Sequence, residues 1–153
     1  MKVEIFNGDV SELYSLIDEW IAALSNKEFN VTFDKDSYVR DVRDLINRDN
    51  ADMLVIRHPE AGIVGLMGIV SFRSPFSDEK WASEHYCYIK RDHRDSHGFD
   101  ALLNVADKWS KRMGCKKLIL NASVLANRRH DLVCRLYERK GYKHFETSFI
   151  KEL

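Results

Sequence analysis

Residues 2–6 alternate apolar and polar, the period of a short strand. The spacing then changes. Val10, Leu13, Ile17, Trp20 and Leu24 recur one helical turn apart, which predicts an amphipathic helix over 10–24 with Asn7 or Asp9 as its cap. Residues 26–32 are polar and irregular. A second helix follows, capped by Asp34 or Asp36, with Tyr38, Val42, Leu45 and Ile46 on one face.

Strand signals dominate the middle of the chain. Residues 53–57 and 63–72 are apolar runs separated by the turn Pro59-Glu60-Ala61-Gly62, so they predict a hairpin. Residues 74–80 read as a loop and 82–89 as a further strand. Phe99, Leu102, Leu103, Ala106, Trp109 and Met113 then form a helical stripe that Gly114 ends. Residues 117–122 predict a strand. Leu132, Val133, Leu136 and Tyr137 predict a helix stopped by Gly141, and residues 143–151 predict a last strand. The three consecutive strands should be antiparallel, and the unit around 99–113 a right-handed parallel crossover. The expected fold class is α/β (α+β): one domain over 1–153, with a mixed, mostly antiparallel sheet and helices on both faces.

Composition supports one globular domain, with 153 residues, 44% hydrophobic and 31% charged. The 24 basic and 24 acidic residues cancel, which gives no general reason to expect nucleic acid or an anionic membrane as partner. The charge is unevenly placed. The first 80 residues hold 9 basic and 15 acidic side chains, and the rest hold 15 and 9. An anionic ligand is more at ease in the second half, although two solvated surfaces would give the same count. Cys87, Cys115 and Cys134 are odd in number and lack CxxC spacing, so no disulfide framework is expected. Reduced thiols, an acidic N-terminus without a signal-like apolar run, and no stretch near the ~20 apolar residues of a membrane helix together suggest a cytoplasmic protein.

Several segments resemble the GCN5-related N-acetyltransferase (GNAT) family. Tyr88-Ile89-Lys90-Arg91-Asp92-His93-Arg94 is similar to that family's strand end, with Ile89 at a valine position and Arg94 at an arginine position. Asp95-Ser96-His97-Gly98-Phe99 stands where the family has a glycine-rich loop and helix start. There the family glycines align with His97 and Phe99, and Gly98 falls between them. Leu136-Tyr137-Glu138-Arg139-Lys140-Gly141-Tyr142 matches a further family element, and Ile63-Val64-Gly65 is common in its third strand. The similarity spans roughly 53–151.

The resemblance implies acetyl-CoA as cosubstrate, with no metal, and an amine as acceptor. A turn entering a helix aims free N–H groups and the helix dipole at one point, which suits a pyrophosphate. By this likeness Ile89 and Arg91 meet the pantetheine arm by main chain, and Arg91 and Arg94 are candidates for phosphate oxygens. Asp95, Ser96, His97, Gly98 and Phe99 supply the turn, and Asn127 is the nearest asparagine before the last helix. Glu84 is the candidate base, because an ammonium must lose its proton before attack. Strand parity puts Glu84, Tyr86 and Tyr88 on one face and His85, Cys87 and Ile89 on the other, with His85 the substitute base. Tyr137 is the candidate donor to the leaving thiolate. The plainer readings stand beside these: a solvated glutamate, two surface arginines and a core tyrosine.

Other candidates carry less. His93 and His97 are four apart with no third zinc ligand in sight. Cys87 has no partner base. The acceptor pocket should form from the first two helices and the loops at 26–35 and 73–80. Glu28, Asp34, Asp36, Asp78 and Glu79 there suit a cationic acceptor. The leading expectation is an acetyl-CoA-dependent N-acetyltransferase working in a ternary complex, with a homodimer as one candidate assembly. The alternative is a non-catalytic domain of the same fold that binds acyl-CoA or a protein partner.

Overall fold

The computed structural model of the chain describes residues 1–24, 31–94, 96–123 and 129–153, without the side chain of Ser96. Its strands are β1 (Lys2–Ile5), β2 (Ala51–His58), β3 (Gly62–Arg73), β4 (Lys80–Ile89) and β5 (Cys115–Ile119). Its helices are α1 (Tyr14–Ala23), α2 (Lys35–Ile46), α3 (Ser96–Arg112) and α4 (His130–Arg139). Short 3-10 turns lie at Val10–Leu13 and Arg91–His93. Among the described residues the sheet runs in the order β1-β2-β3-β4-β5. The first three pairings are antiparallel, and β5 joins β4 in parallel after the α3 crossover.

The caps are those that the local chemistry favours. Asp9 accepts from the N–H of Ser11 at 2.8 Å. Asp34 accepts from the N–H groups of Asp36 and Ser37, both at 3.2 Å, and so starts α2. Gly114 and Gly141 take φ of 77° and 90° after α3 and α4, a left-handed region that favours glycine.

Each face of the sheet is covered. On one side Leu13, Leu16 and Ile17 pack with Val42 and Leu45 of α2 against Met53, Val55 and Leu66. On the other, Leu102, Ala106 and Trp109 of α3 pack against Leu54, Ile56, Met67 and Ile69. Trp109 adds a bond from Nε1 to Asp52 Oδ2 at 2.6 Å, which pins α3 to β2. No helix among the described residues is long and apolar enough to cross a membrane.

Two sequence expectations are corrected. Residues 143–151 form no strand. Their alternation is right for one, but a strand requires a backbone partner, and among the described residues this segment has none in the sheet. Phe145 reaches the Trp81 ring at 5.9 Å, while Phe149 is 93% exposed. The second correction is in β4. Gly68 pairs with Tyr86 and Ile69 with Glu84, so His85 is an extra residue, a β-bulge. The bulge reverses parity. Tyr86 and Tyr88 face α1 and α2, while Glu84 falls on the side of α3 with Ala82, Cys87 and Ile89.

Candidate active site

Among the described residues β4 and β5 pair from Lys80↔Cys115 to Ser83↔Ile119. Beyond Ser83 they separate, and the edge of β4 loses its strand partner. The first residue past the last pair is Glu84, whose side chain bridges the start of the gap. Its Oε2 accepts from the N–H of Asn121 at 3.0 Å, and its backbone carbonyl accepts from Asn121 Nδ2 at 2.9 Å. Glu84 is 7% exposed. Burial pushes its carboxyl up to about 7, and the Asn121 N–H pulls in the opposite direction.

Tyr137 of α4 meets the same residue from above. Its hydroxyl donates to the Asn121 carbonyl at 3.2 Å, and its ring stacks on Phe99 with centroids 6.0 Å apart. Burial raises the phenol well above its ordinary value, and the nearby Glu84 carboxylate adds to the effect. The hydroxyl therefore remains protonated at neutral pH and can donate. Burial likewise pushes the Cys87 thiol far up, which keeps it un-ionised and inert as a nucleophile.

The far end of the gap is set by the turn between β4 and α3. The Lys90 N–H donates to Val64 O of β3 at 2.8 Å. Within a trans peptide the carbonyl points the opposite way, so the Ile89 C=O faces away from β3. Arg94 Nε donates to that carbonyl at 2.7 Å, with its guanidinium 5.0 Å from the Tyr88 ring centroid. The Arg91 N–H donates to Glu19 at 2.9 Å, and the same carboxylate accepts from the Tyr88 hydroxyl. His97, Gly98 and Phe99 lie in the first turn of α3 rather than in a loop before it.

On the α1–α2 side of β4 the rings of Trp20, Tyr38, Tyr86 and Tyr88 cluster, Trp20 lying 4.8–5.6 Å from the other three. His85 Nε2 sits 3.0 Å from Asp41 on this side, so the substitute base of the sequence reading is separated from Glu84 by the sheet.

Residues 15–142 match the Acetyltransferase (GNAT) family. This chain belongs to the GNAT acetyltransferase family. Solved structures agree on the fold. A ribosomal-protein-alanine N-acetyltransferase from Brucella melitensis biovar Abortus 2308 superposes with a TM-score of 0.73 at 20% identity, covering 99% of this chain and 98% of that one. An aminoglycoside 6'-N-acetyltransferase from Acinetobacter baumannii gives 0.72 at 12%, covering 99% of each. A protein described as a transcriptional regulator from Bacillus halodurans C-125 gives 0.75 at 18%, covering 99% and 100%. A search for sequence relatives among curated proteins finds no match.

Within this GNAT domain the candidates fall into two groups. Glu84 and Tyr137 meet through Asn121, while Ile89, Arg91 and Arg94 meet at the opposite end of the gap. Asp95 and Asn127 lie outside the described residues, as does the Ser96 side chain. So do Glu28 and most of the 26–32 loop. Two contributors escaped the sequence reading. Asn121 is one polar residue after an apolar strand, and Glu19 is one charge on a helix surface. Neither has a local signal; only the meeting of β4 with β5, and of α1 with β4, gives them partners.

Proposed function

We propose that this GNAT domain transfers the acetyl group of acetyl-CoA to an amine by direct attack in a ternary complex. The observation that carries the proposal is the Glu84–Asn121–Tyr137 chain at the point where β4 and β5 part. The strand edge past Ser83, with its outward Ile89 carbonyl, suits an arm that bears amides. The first turn of α3 offers N–H groups and a dipole to a pyrophosphate. Ile89, Arg91, Arg94 and the His97–Gly98–Phe99 turn would hold the cosubstrate, which supplies the activated acetyl thioester.

The remaining steps fall to this chain's side chains. With its carboxyl pushed up to about 7 by burial, Glu84 can take a proton from the incoming ammonium, directly or through a water. The neutral amine attacks the thioester carbonyl, the C–S bond breaks, and the nitrogen sheds its second proton to solvent while the sulfur leaves as a thiol. The Tyr137 hydroxyl turns its one proton from the Asn121 carbonyl to the departing sulfur, as a hydrogen bond or a full transfer. No covalent bond to the enzyme is required.

The acceptor is an amine of a small molecule or a protein, and the excess acid of the first 80 residues favours a cationic one. The reading calls for neither nucleic acid nor a membrane, nor for a metal, and it suits the cytoplasm. A second reading is a domain that binds acyl-CoA without turnover. It is favoured by the regulator among the structural neighbours and by His97 and Phe99 at the glycine positions. One experiment separates the two. Thermal melts with acetyl-CoA and CoA should show stabilisation, and free thiol should then appear over a panel of amines. Stabilisation with no thiol release across the panel favours the binding domain, and no stabilisation sinks both.

A further inference from the structure

The direction of Glu84 depends on one extra residue in β4. In a regular strand, residues two apart share a face. Tyr86 is fixed on the α1–α2 side. Its ring centroid lies 5.4 Å from that of Trp20 and 6.5 Å from that of Tyr38, and the ring covers Gly68, where a Cβ would lie 3.1 Å from it. Without the bulge, Glu84 would follow Tyr86 to that side and lose the Asn121 N–H. Because His85 is extra, it and Tyr86 both turn toward α2, with ring centroids 5.0 Å apart, and Glu84 turns the other way.

Both of the turned side chains meet one carboxylate, Asp41 of α2. His85 Nε2 lies 3.0 Å from Asp41 Oδ2, and an ionised carboxylate only accepts, so the ring nitrogen is the donor. The Tyr86 hydroxyl is buried without a hydrogen bond of ordinary geometry, and Asp41 is near enough to raise it, after the larger effect of burial. The His85 and Asp41 side chains are 44% and 41% exposed, so their pair adds little to global stability. Its effect is local: it favours the arrangement in which the extra residue lies on the α2 side.

We propose that Asp41 and His85 are positioning residues for Glu84: by holding the extra residue of the bulge toward α2, they keep the glutamate on the α3 side, at the Asn121 N–H. The proposal rests on Glu84 as the base of the reading above and adds what sets its direction. Both side chains act through the strand rather than on the reacting atoms.

Native-state hydrogen exchange and steady-state kinetics test this together. An exposed pair of this kind shifts a local equilibrium about two- to fivefold. Asp41→Ala should speed exchange of the Asn121 N–H by that factor and leave the Val55 N–H of β2 as in the parent. At saturating amine its kcat should fall by the same factor, with the KM for amine unchanged. His85→Ala should do the same, and the two together no more than either alone. His85→Gln keeps a donor for Asp41 and should restore the parent's exchange and rate. In a Glu84→Gln background, Asp41→Ala should lower the rate no further. Unchanged exchange at Asn121 overturns the proposal. So does faster exchange that spreads to Val55, which would make Asp41 a general support of the fold. A raised KM for amine at unchanged kcat also overturns it, and would make Asp41 a contact of the acceptor. A Glu84→Gln enzyme as fast as the parent removes Glu84 as the base, while the exchange rates still decide whether Asp41 and His85 set its direction.

Discussion

The carboxylate of Glu84 and the hydroxyl of Tyr137 are joined through one residue: Asn121 gives its N–H to the first at 3.0 Å and its carbonyl to the second at 3.2 Å. The base and the acid of the proposed reaction are therefore held by the same short stretch of backbone. That stretch lies just past the last β4–β5 pair, so the divergence of the strands and the placing of the two groups have one cause.

The buried Glu84 should make stability fall as pH rises. Its folded value is about 7 against an ordinary 4.5, so the native state binds more protons than the unfolded state between these values. The contribution is most favourable below pH 4.5, is lost through the interval, and levels off above 7. Its full span is about 3 kcal/mol. Glu84→Gln has no charge to bury and can still accept from Asn121. Denaturant titrations from pH 4.5 to 8 should show the variant gaining on the parent as pH rises. A difference that stays flat would mean that Glu84 is solvated.

Tyr137→Phe removes one hydroxyl and keeps the ring on Phe99. If the hydroxyl assists the leaving thiolate, turnover should drop by one to several factors of ten, on the order of ~2–4 kcal/mol in barrier. Acetyl-CoA affinity should hardly change. Steady-state rates with a responsive amine, paired with titration of acetyl-CoA, provide the check. Parent-like turnover would return Tyr137 to the role of a packing residue.

Cys87 lies on the Glu84 side of β4 and invites a nucleophile reading that its chemistry opposes. Its thiol is held protonated by burial and by the neighbouring carboxylate. Cys87→Ala should keep turnover within about threefold, since no covalent intermediate depends on it. A loss of two orders of magnitude in the thiol-release assay, with the fold intact by circular dichroism, would reverse this assignment.

The anchor of α3 should matter to stability before it matters to chemistry. Trp109→Phe leaves Asp52 without its indole donor and opens space in a side chain that is 2% exposed. A loss of about 2–3 kcal/mol is expected. Equilibrium unfolding of the variant measures it directly, and an unchanged midpoint would show that the 2.6 Å bond contributes little net stability.

Much of this was legible in the sequence because it is written in local period. The stripe at Val10, Leu13, Ile17 and Trp20, the turn at Pro59–Gly62 and the glycines at 114 and 141 each fix an element by short-range physics. The order of those elements then limits the topology. What was not legible depends on residues far apart in the chain. The bulge at His85 arises where Tyr86 packs over Gly68, at which any Cβ would lie 3.1 Å from the tyrosine ring. Parity counted along β4 alone cannot register an extra residue, so Glu84 and Tyr86 were read onto one face. Asn121 acquires its role only when β5 leaves β4. The segment 143–151 failed for the converse reason: its pattern is that of a strand, and pattern alone supplies no partner.

The most direct test of the account is the pH dependence of kcat/KM for acetyl transfer in the parent and in Glu84→Gln, using one amine to which the parent responds. The parent should rise through an inflection near pH 7, where Glu84 ionises. The glutamine variant should be slower around neutrality, lack that inflection and follow only the ionisation of the amine, recovering part of its rate at high pH. A variant with the parent's rate and the parent's inflection would contradict the claim that Glu84 is the base.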